Sequence, residues 1–202
     1  MQLVNLSAEQ EYTLRNWLPA RLSAEKVVFF PDACPGKSPL PTGTATLLRR
    51  RDFRRFAVSD CGCGMRLLRS SATMADLTAE RWDQVADQLQ ENKNQLGDLG
   101  GGNHFLDALE PYEGEQLHFL VHTGSRNESG LVDEFVDHPD RFDQEFARVV
   151  AWARANREAV QTAIEGVFGK LELVLDLPHN TYETLGDGGV VIPKGAVRVR
   201  PR

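Results

Sequence analysis

Between Pro139 and Leu177 the apolar pattern changes its period once, and that change constrains the fold class more than any other feature. Phe142, Phe146, Val149, Val150 and Val160 fall on a helical stripe reaching Val167, and Pro139 suits the first helical turn. The polar run from Arg154 to Arg157 is where so long a helix would break. Leu171, Leu173, Leu175 and Leu177 then alternate with Glu172, Val174 and Asp176, a period of two that reads as a strand.

The remaining pattern agrees with a mixed chain. Ser7 and Gln10 have the spacing of a capping box, which predicts a helix to Leu18 before Pro19. Val27 to Phe30 reads as a short buried strand. It leads into PDACPGKSPLPTG, residues 31–43, where four prolines and two glycines oppose regular structure. Thr44–Leu48, Phe56–Val58 and Met65–Leu68 read as strands. Thr78 is placed to cap a helix carrying Trp82, Val85 and Leu89 on one stripe and ending near Lys93. His104–Leu109 reads as a strand. So does Leu117–His122, with Leu117, Phe119 and Val121 on one face and His118 and His122 on the other. Residues 123–138 read as a polar loop, and Val190–Ile192 with Ala196–Val199 as a strand pair. No repeat and no linker divides the chain. The expected class is α+β, with mixed sheets and flanking helices, in a single domain over residues 1–202.

Charge is uneven along the chain. The net charge is −6, yet residues 1–75 carry 11 basic and 6 acidic side chains, whereas residues 76–202 carry 12 and 23. Arg49, Arg50, Arg51, Arg54 and Arg55 concentrate the positive charge, and such a cluster can meet phosphates or form a solvated turn. Overall acidity argues against broad, nonspecific coating of DNA. No leader-like segment opens the chain, and no apolar run approaches a membrane span, so a soluble cytoplasmic protein is expected.

The chemistry concentrates at changes of local pattern. In SDCGCGM, residues 59–65, Cys61 and Cys63 are two apart and in a strand would face opposite sides, so they are poor mutual disulfide partners. Free thiols, one of them a ligand, fit better. His104 follows three glycines and Asn103, His122 ends a strand, and His179 follows the leucine-rich strand. With Asp60 and Cys63 they form a donor set suited to a divalent metal, and a thiolate can bridge two ions. The same residues read singly are ordinary hydrogen-bonded histidines, and the glycines beside His104 could instead form a phosphate nest. Gly97–Gly102 does not match a dinucleotide fingerprint.

SDCGCGM, LGDLGGGNHFLD, VHTGSR, DLPHNTYE and IPKGAVRV, in that order, together resemble the RtcB-type RNA ligase family. PDACPGKSPLPTG resembles that family's early motif, with Cys34 where histidine is usual. The matching motifs extend over about residues 28–200. The resemblance implies an RtcB-like fold lacking its C-terminal part. It implies that Asp60, Cys63, His104, His122 and His179 are metal ligands and that Asn103 contacts guanylate. Cys63 would bridge two Mn²⁺ ions, with His122 and His179 on one and Asp60 and His104 on the other. Asn180 and Glu183 would orient the neighbouring ligand.

Members of this family use GTP and Mn²⁺ to join RNA ends bearing a 2′,3′-cyclic phosphate or 3′-phosphate to 5′-hydroxyl ends. Their guanylate-accepting histidine lies in a later motif, so that catalytic residue is expected beyond Arg202, and the 202-residue chain alone is expected to show little self-guanylation. Its expected partners are RNA ends, GTP, and either a C-terminal remainder or a second copy. The spacing of His104 and His122, 18 residues, implies a trimmed insertion. The rival readings are a noncatalytic metal- or RNA-binding relative and a metal-dependent phosphohydrolase.

Overall fold

A computed structural model describes residues 1–36, 39–49, 53–111, 114–125 and 128–199. It is mixed α+β, with two sheets and flanking helices, and it divides into two compact units.

The first unit draws on Met1–Cys61, Asn127–Val149 and Pro178–Arg202. Its sheet has the order β1-β2-β3-β9-β8, formed by β1 (Gln2–Asn5), β2 (Ala24–Cys34), β3 (Thr42–Arg49), β9 (Gly189–Lys194) and β8 (Glu183–Thr184). β1 runs parallel to β2, and the other pairs are antiparallel. The Pro-rich segment is less irregular than its composition predicts. β2 continues through Pro31 to Cys34, accommodated by a register shift between Phe29 and Cys34, and Cys34 pairs with Thr42. β9 takes β3 and β8 as neighbours, whereas residues 196–199 form no strand. Helix α1 spans Glu11–Trp17 with Gln10 at its N-cap. Ser7 does not cap it; its hydroxyl accepts from the Glu9 amide and donates to the Asn5 side chain, in the turn before the helix. Phe56 lies in a short helix, α2 (Arg54–Ala57), rather than a strand. The expected loop of residues 123–138 contains α4 (Ser129–Asp133). Phe53, Phe142, Phe146 and Tyr182 form an aromatic cluster, and the Tyr182 hydroxyl donates to Asp143 Oδ1 at 2.8 Å.

The second unit draws on Gly62–Arg126 and Val150–Leu177. Its sheet has the order β5-β6-β4-β7, with β5 (Phe105–Leu109), β6 (Gln116–Thr123), β4 (Gly64–Thr73) and β7 (Glu172–Pro178). Helix α3 (Ala79–Glu91) starts where Thr78 accepts a bond from the Arg81 amide. The long helix α5 (Pro139–Phe168) supplies its later turns to this unit. Leu68, Val85, Leu117, Phe119, Val121, Val160, Ile164, Phe168 and Leu171 make the core, with Trp82 stacked on Phe119 at 6.4 Å. The leucine alternation of β7 identifies a strand, but Leu173 and Leu177 are exposed. Asp176, on the opposite face, reaches the buried Arg66 and Arg157.

α5 does not break between Arg154 and Arg157. Asn156 and Arg157 interrupt the apolar stripe, yet both are buried and both side chains are hydrogen-bonded. A helix passes through buried polar positions without penalty to its backbone when the side chains find partners. Among the described residues no helix is long and apolar enough to cross a membrane.

Candidate metal centre

Antiparallel pairing in the second unit gathers three donors at one end of the sheet. Gly64 opens β4 opposite Thr123, and Met65 stands opposite His122. Phe105 opens β5 opposite the same His122. Cys63 immediately precedes β4 and His104 immediately precedes β5, so the ladders bring Cys63, His104 and His122 together. Cys63 Sγ lies 3.3 Å from His122 Nε2 and 3.4 Å from His104 Nε2. The two imidazoles are nearly perpendicular, with centroids 5.3 Å apart. Cys63 and His122 are buried and His104 partly so.

His122 Nδ1 lies 2.9 Å from the Asn103 carbonyl oxygen. That carbonyl only accepts, so Nδ1 carries a proton, and Nε2 faces the thiol. Ligating histidines are oriented in this way. The separations also fit a shared ion. Zinc–sulfur and zinc–nitrogen bonds of about 2.3 and 2.0–2.1 Å at a tetrahedral angle, for example, place S and N about 3.5 Å apart. Cys63 forms a pair with each histidine, and is common to both.

Three features absent from the sequence reasoning hold this arrangement. Arg157 Nη1 donates to the carbonyls of Gly62 and Thr123, at 2.9 and 3.2 Å, fixing the backbone beside Cys63 and beside His122. Asn156 accepts from the Gly97 amide at 2.7 Å and donates to the carbonyls of Asp98 and Gly124, fastening the glycine-rich loop that carries His104. Asn103 holds His122 through its main-chain oxygen, a role separate from the expected guanylate contact. The signal for the first two was the polar interruption of the α5 stripe. Gly62 has φ +74, and a Cβ there would lie 2.9 Å from Val150 Cα, so the turn before Cys63 needs glycine.

The other two expected ligands belong to the first unit. Asp60 adopts φ 48, uncommon for a residue with a side chain. Asn180 Nδ2 donates to the Asp60 carbonyl at 3.3 Å, and the Gly195 amide donates to both Asn180 Oδ1 and the His179 carbonyl. Asn180 thus ties the His179 segment to the Asp60 turn, and Lys194 Nζ adds a bond to the Ser59 carbonyl. Glu183 instead pairs with Arg198 at the surface. Cys61 is fully buried, its amide donating to Ser129 Oγ at 2.8 Å. Burial pushes its thiol up to about 11, against the pull of the Ser129 hydroxyl and the Lys194 charge. The cysteines form no disulfide among the described residues. His118 lies by its own strand's Gln116 carbonyl, and the His138 carbonyl receives the Phe142 amide at the start of α5.

Of the basic cluster, Arg49 pairs with Glu25 and Arg55 with Asp137, while Arg54 lies over Phe53 and Phe142. Arg50 and Arg51 lie outside the described residues, as does Arg126 of the VHTGSR motif.

No family profile matches the chain. Over 87% of its length it is 29% identical to the RNA-splicing ligase RtcB2 of Escherichia coli, of which it covers 57%. Over 55% of its length it is 30% identical to the tRNA-splicing ligase RtcB of Nanoarchaeum equitans, of which it covers 35%. The chain is therefore a distant homologue of RtcB-family RNA ligases, and the matches span 57% and 35% of the length of these curated relatives.

Proposed function

We propose that this chain is the metal-holding part of a GTP- and Mn²⁺-dependent RNA ligase that joins 2′,3′-cyclic-phosphate or 3′-phosphate ends to 5′-hydroxyl ends. The observation that carries this is the buried Cys63 thiol set against two histidine Nε2 atoms, one of them with its proton fixed on the far nitrogen. Thiolate and imidazole are poor donors for calcium or magnesium and suit zinc or iron by their chemistry; the choice of Mn²⁺ rests on the likeness to RtcB-type ligases. We assign Asp60 and His179 as the remaining ligands, so that Cys63 serves two ions. Bound there, a pair of divalent ions would neutralise phosphate oxygens and align an in-line displacement.

The residues themselves have defined tasks. With a metal bound, Cys63 would be a thiolate and supply negative charge. His104 and His122 would present Nε2 to it. The Asn103 carbonyl keeps His122 in the competent tautomer, while Arg157 and Asn156 keep both loops from drifting. In this reading the Asn103 side chain contacts guanylate, and RNA ends and GTP are the partners.

Metal titration by calorimetry tests the core of the proposal. Two equivalents of Mn²⁺ are expected for the wild-type chain, with both lost in Cys63→Ala and one weakened in His104→Ala or His122→Ala. Stoichiometry unaffected by Cys63→Ala would overturn the bridging assignment. Absence of any metal dependence, with the fold intact by circular dichroism, would favour a noncatalytic RNA-binding relative.

A further inference from the structure

The metal centre makes no use of the arginines of the first unit, and three of them line a cavity of their own. A recess of about 170 Å³ is bounded by Arg21, Ser23, Arg54, Arg55 and Asp137, among others. It shares Arg21, Arg55 and Asp137 with a wider cavity of about 630 Å³ that extends to Asp60. Three guanidinium groups against one carboxylate leave the recess net positive, whereas Asp60 and Asp133 make the wider cavity more acidic. Arg54 is held in place, its guanidinium lying over the Phe53 ring at 5.1 Å and the Phe142 ring at 5.8 Å. Its Nε is buried and meets no acceptor among the described residues. Guanidinium groups at the wall of a recess suit a phosphate, whose oxygens are acceptors of opposite charge. Arg55 is oriented by Asp137 at 2.8 Å.

We propose that Arg21, Arg54 and Arg55 form a phosphate subsite that takes a backbone phosphodiester of single-stranded RNA. Resting on the ligase reading, the strand's terminus would lie toward Asp60 and its body would pass over the arginines along the continuous cavity. The fork of Arg54, braced by two rings, supplies the fixed donor. Arg21 and Arg55, which are exposed, supply charge at the rim. The volume admits a phosphate with ordered water, since liquid water occupies about 30 Å³ per molecule. Contacts of this kind fix the position of the strand and carry no sequence preference.

The test is fluorescence anisotropy with a labelled single-stranded RNA of about a dozen nucleotides bearing a 5′-hydroxyl and a 3′-phosphate, at several salt concentrations. Arg21→Gln, Arg55→Gln and Arg54→Lys are each expected to weaken binding about five- to tenfold. The two glutamine variants should each lower the slope of log affinity against log salt by about 0.7. Asp137→Asn should tighten binding. Arg15→Gln, an exposed arginine of the same unit that pairs with Glu11, should change nothing. RNA binding indifferent to Arg21, Arg54 and Arg55 overturns the subsite, as does an equal loss in Arg15→Gln. A loss of GTP binding with RNA binding retained assigns the recess to a nucleotide and also overturns it. Manganese titration in parallel separates the two readings. A wild type that binds manganese but not RNA removes the subsite and leaves the metal centre standing. Arginine-dependent RNA binding without metal binding does the reverse.

Discussion

Replacing Arg157 with alanine tests the claim that α5 holds the metal centre from behind. The side chain is 2% exposed and makes three bonds. The substitution strips the carbonyls of Gly62 and Thr123 of a buried donor, and each buried polar group so orphaned costs about 1–3 kcal/mol. Asp176 loses one of its two arginines but keeps Arg66 at 2.6 Å, so the full penalty of about 3–5 kcal/mol for a stranded buried charge does not apply. The expected destabilisation is about 3 kcal/mol, a large part of a domain stability of about 5–15 kcal/mol. In urea, with a slope of about 2 kcal/mol/M, the midpoint should fall by about 1.5 M. Metal affinity should fall about 10- to 100-fold below the unfolding range, as for other supports of ligating residues. Arg154→Ala, three residues earlier and exposed, should stay within about 0.5 kcal/mol. A midpoint for Arg157→Ala within error of Arg154→Ala, with unchanged metal affinity, would refute the reasoning.

Gly62→Ala should cost at least about 2 kcal/mol, since φ +74 strains any L side chain and the added Cβ meets Val150 and Ala153; equilibrium unfolding measures it. The Asp76 carboxyl is held below its ordinary value of 3.8 by bonds from the Thr73 amide and hydroxyl. A depressed carboxylate stabilises the fold above its unfolded pKa and loses that contribution as pH falls through the folded one. The lead of wild type over Asp76→Asn should therefore shrink as pH falls below about 3.8, and parallel stability curves would contradict this. In the native chain a thiol reagent should modify Cys34 quickly and spare Cys61 and Cys63, with all three reacting after denaturation; rapid native labelling of Cys61 would show that its burial is wrong.

The strongly patterned segments were legible before any coordinates. The Thr78-capped helix, the β6 alternation and the long stripe of α5 each appear close to where periodicity puts them. Short segments were harder, because Arg54–Ala57 and Ser129–Asp133 are single turns whose few apolar residues suit a strand or loop equally well. Pro31 did not end β2, since the ladder there tolerates an irregularity that composition does not announce. At the candidate metal centre, residue types identified Cys63, His104 and His122, and the pairing of β4, β5 and β6 gathers them. What no local pattern disclosed was the support. The Asn103 contribution is a main-chain oxygen, which sequence does not label. Asn156 and Arg157 looked like a helix break because a buried polar residue and a helix terminus leave the same mark on hydropathy.

Asn156 and Arg157 also set the rotational phase of α5. Neighbouring helical residues point about 100° apart, and these two side chains reach different targets: the glycine-rich loop for Asn156, and Gly62, Thr123 and Asp176 for Arg157. A one-residue insertion or deletion just before them would turn both forks away together, even if every inserted residue were alanine and the helix stayed intact. The loops would then come loose with no change to any ligand. In this stretch of α5, length is as constrained as identity, and a relative that varied its helix there would have to compensate within the same turn.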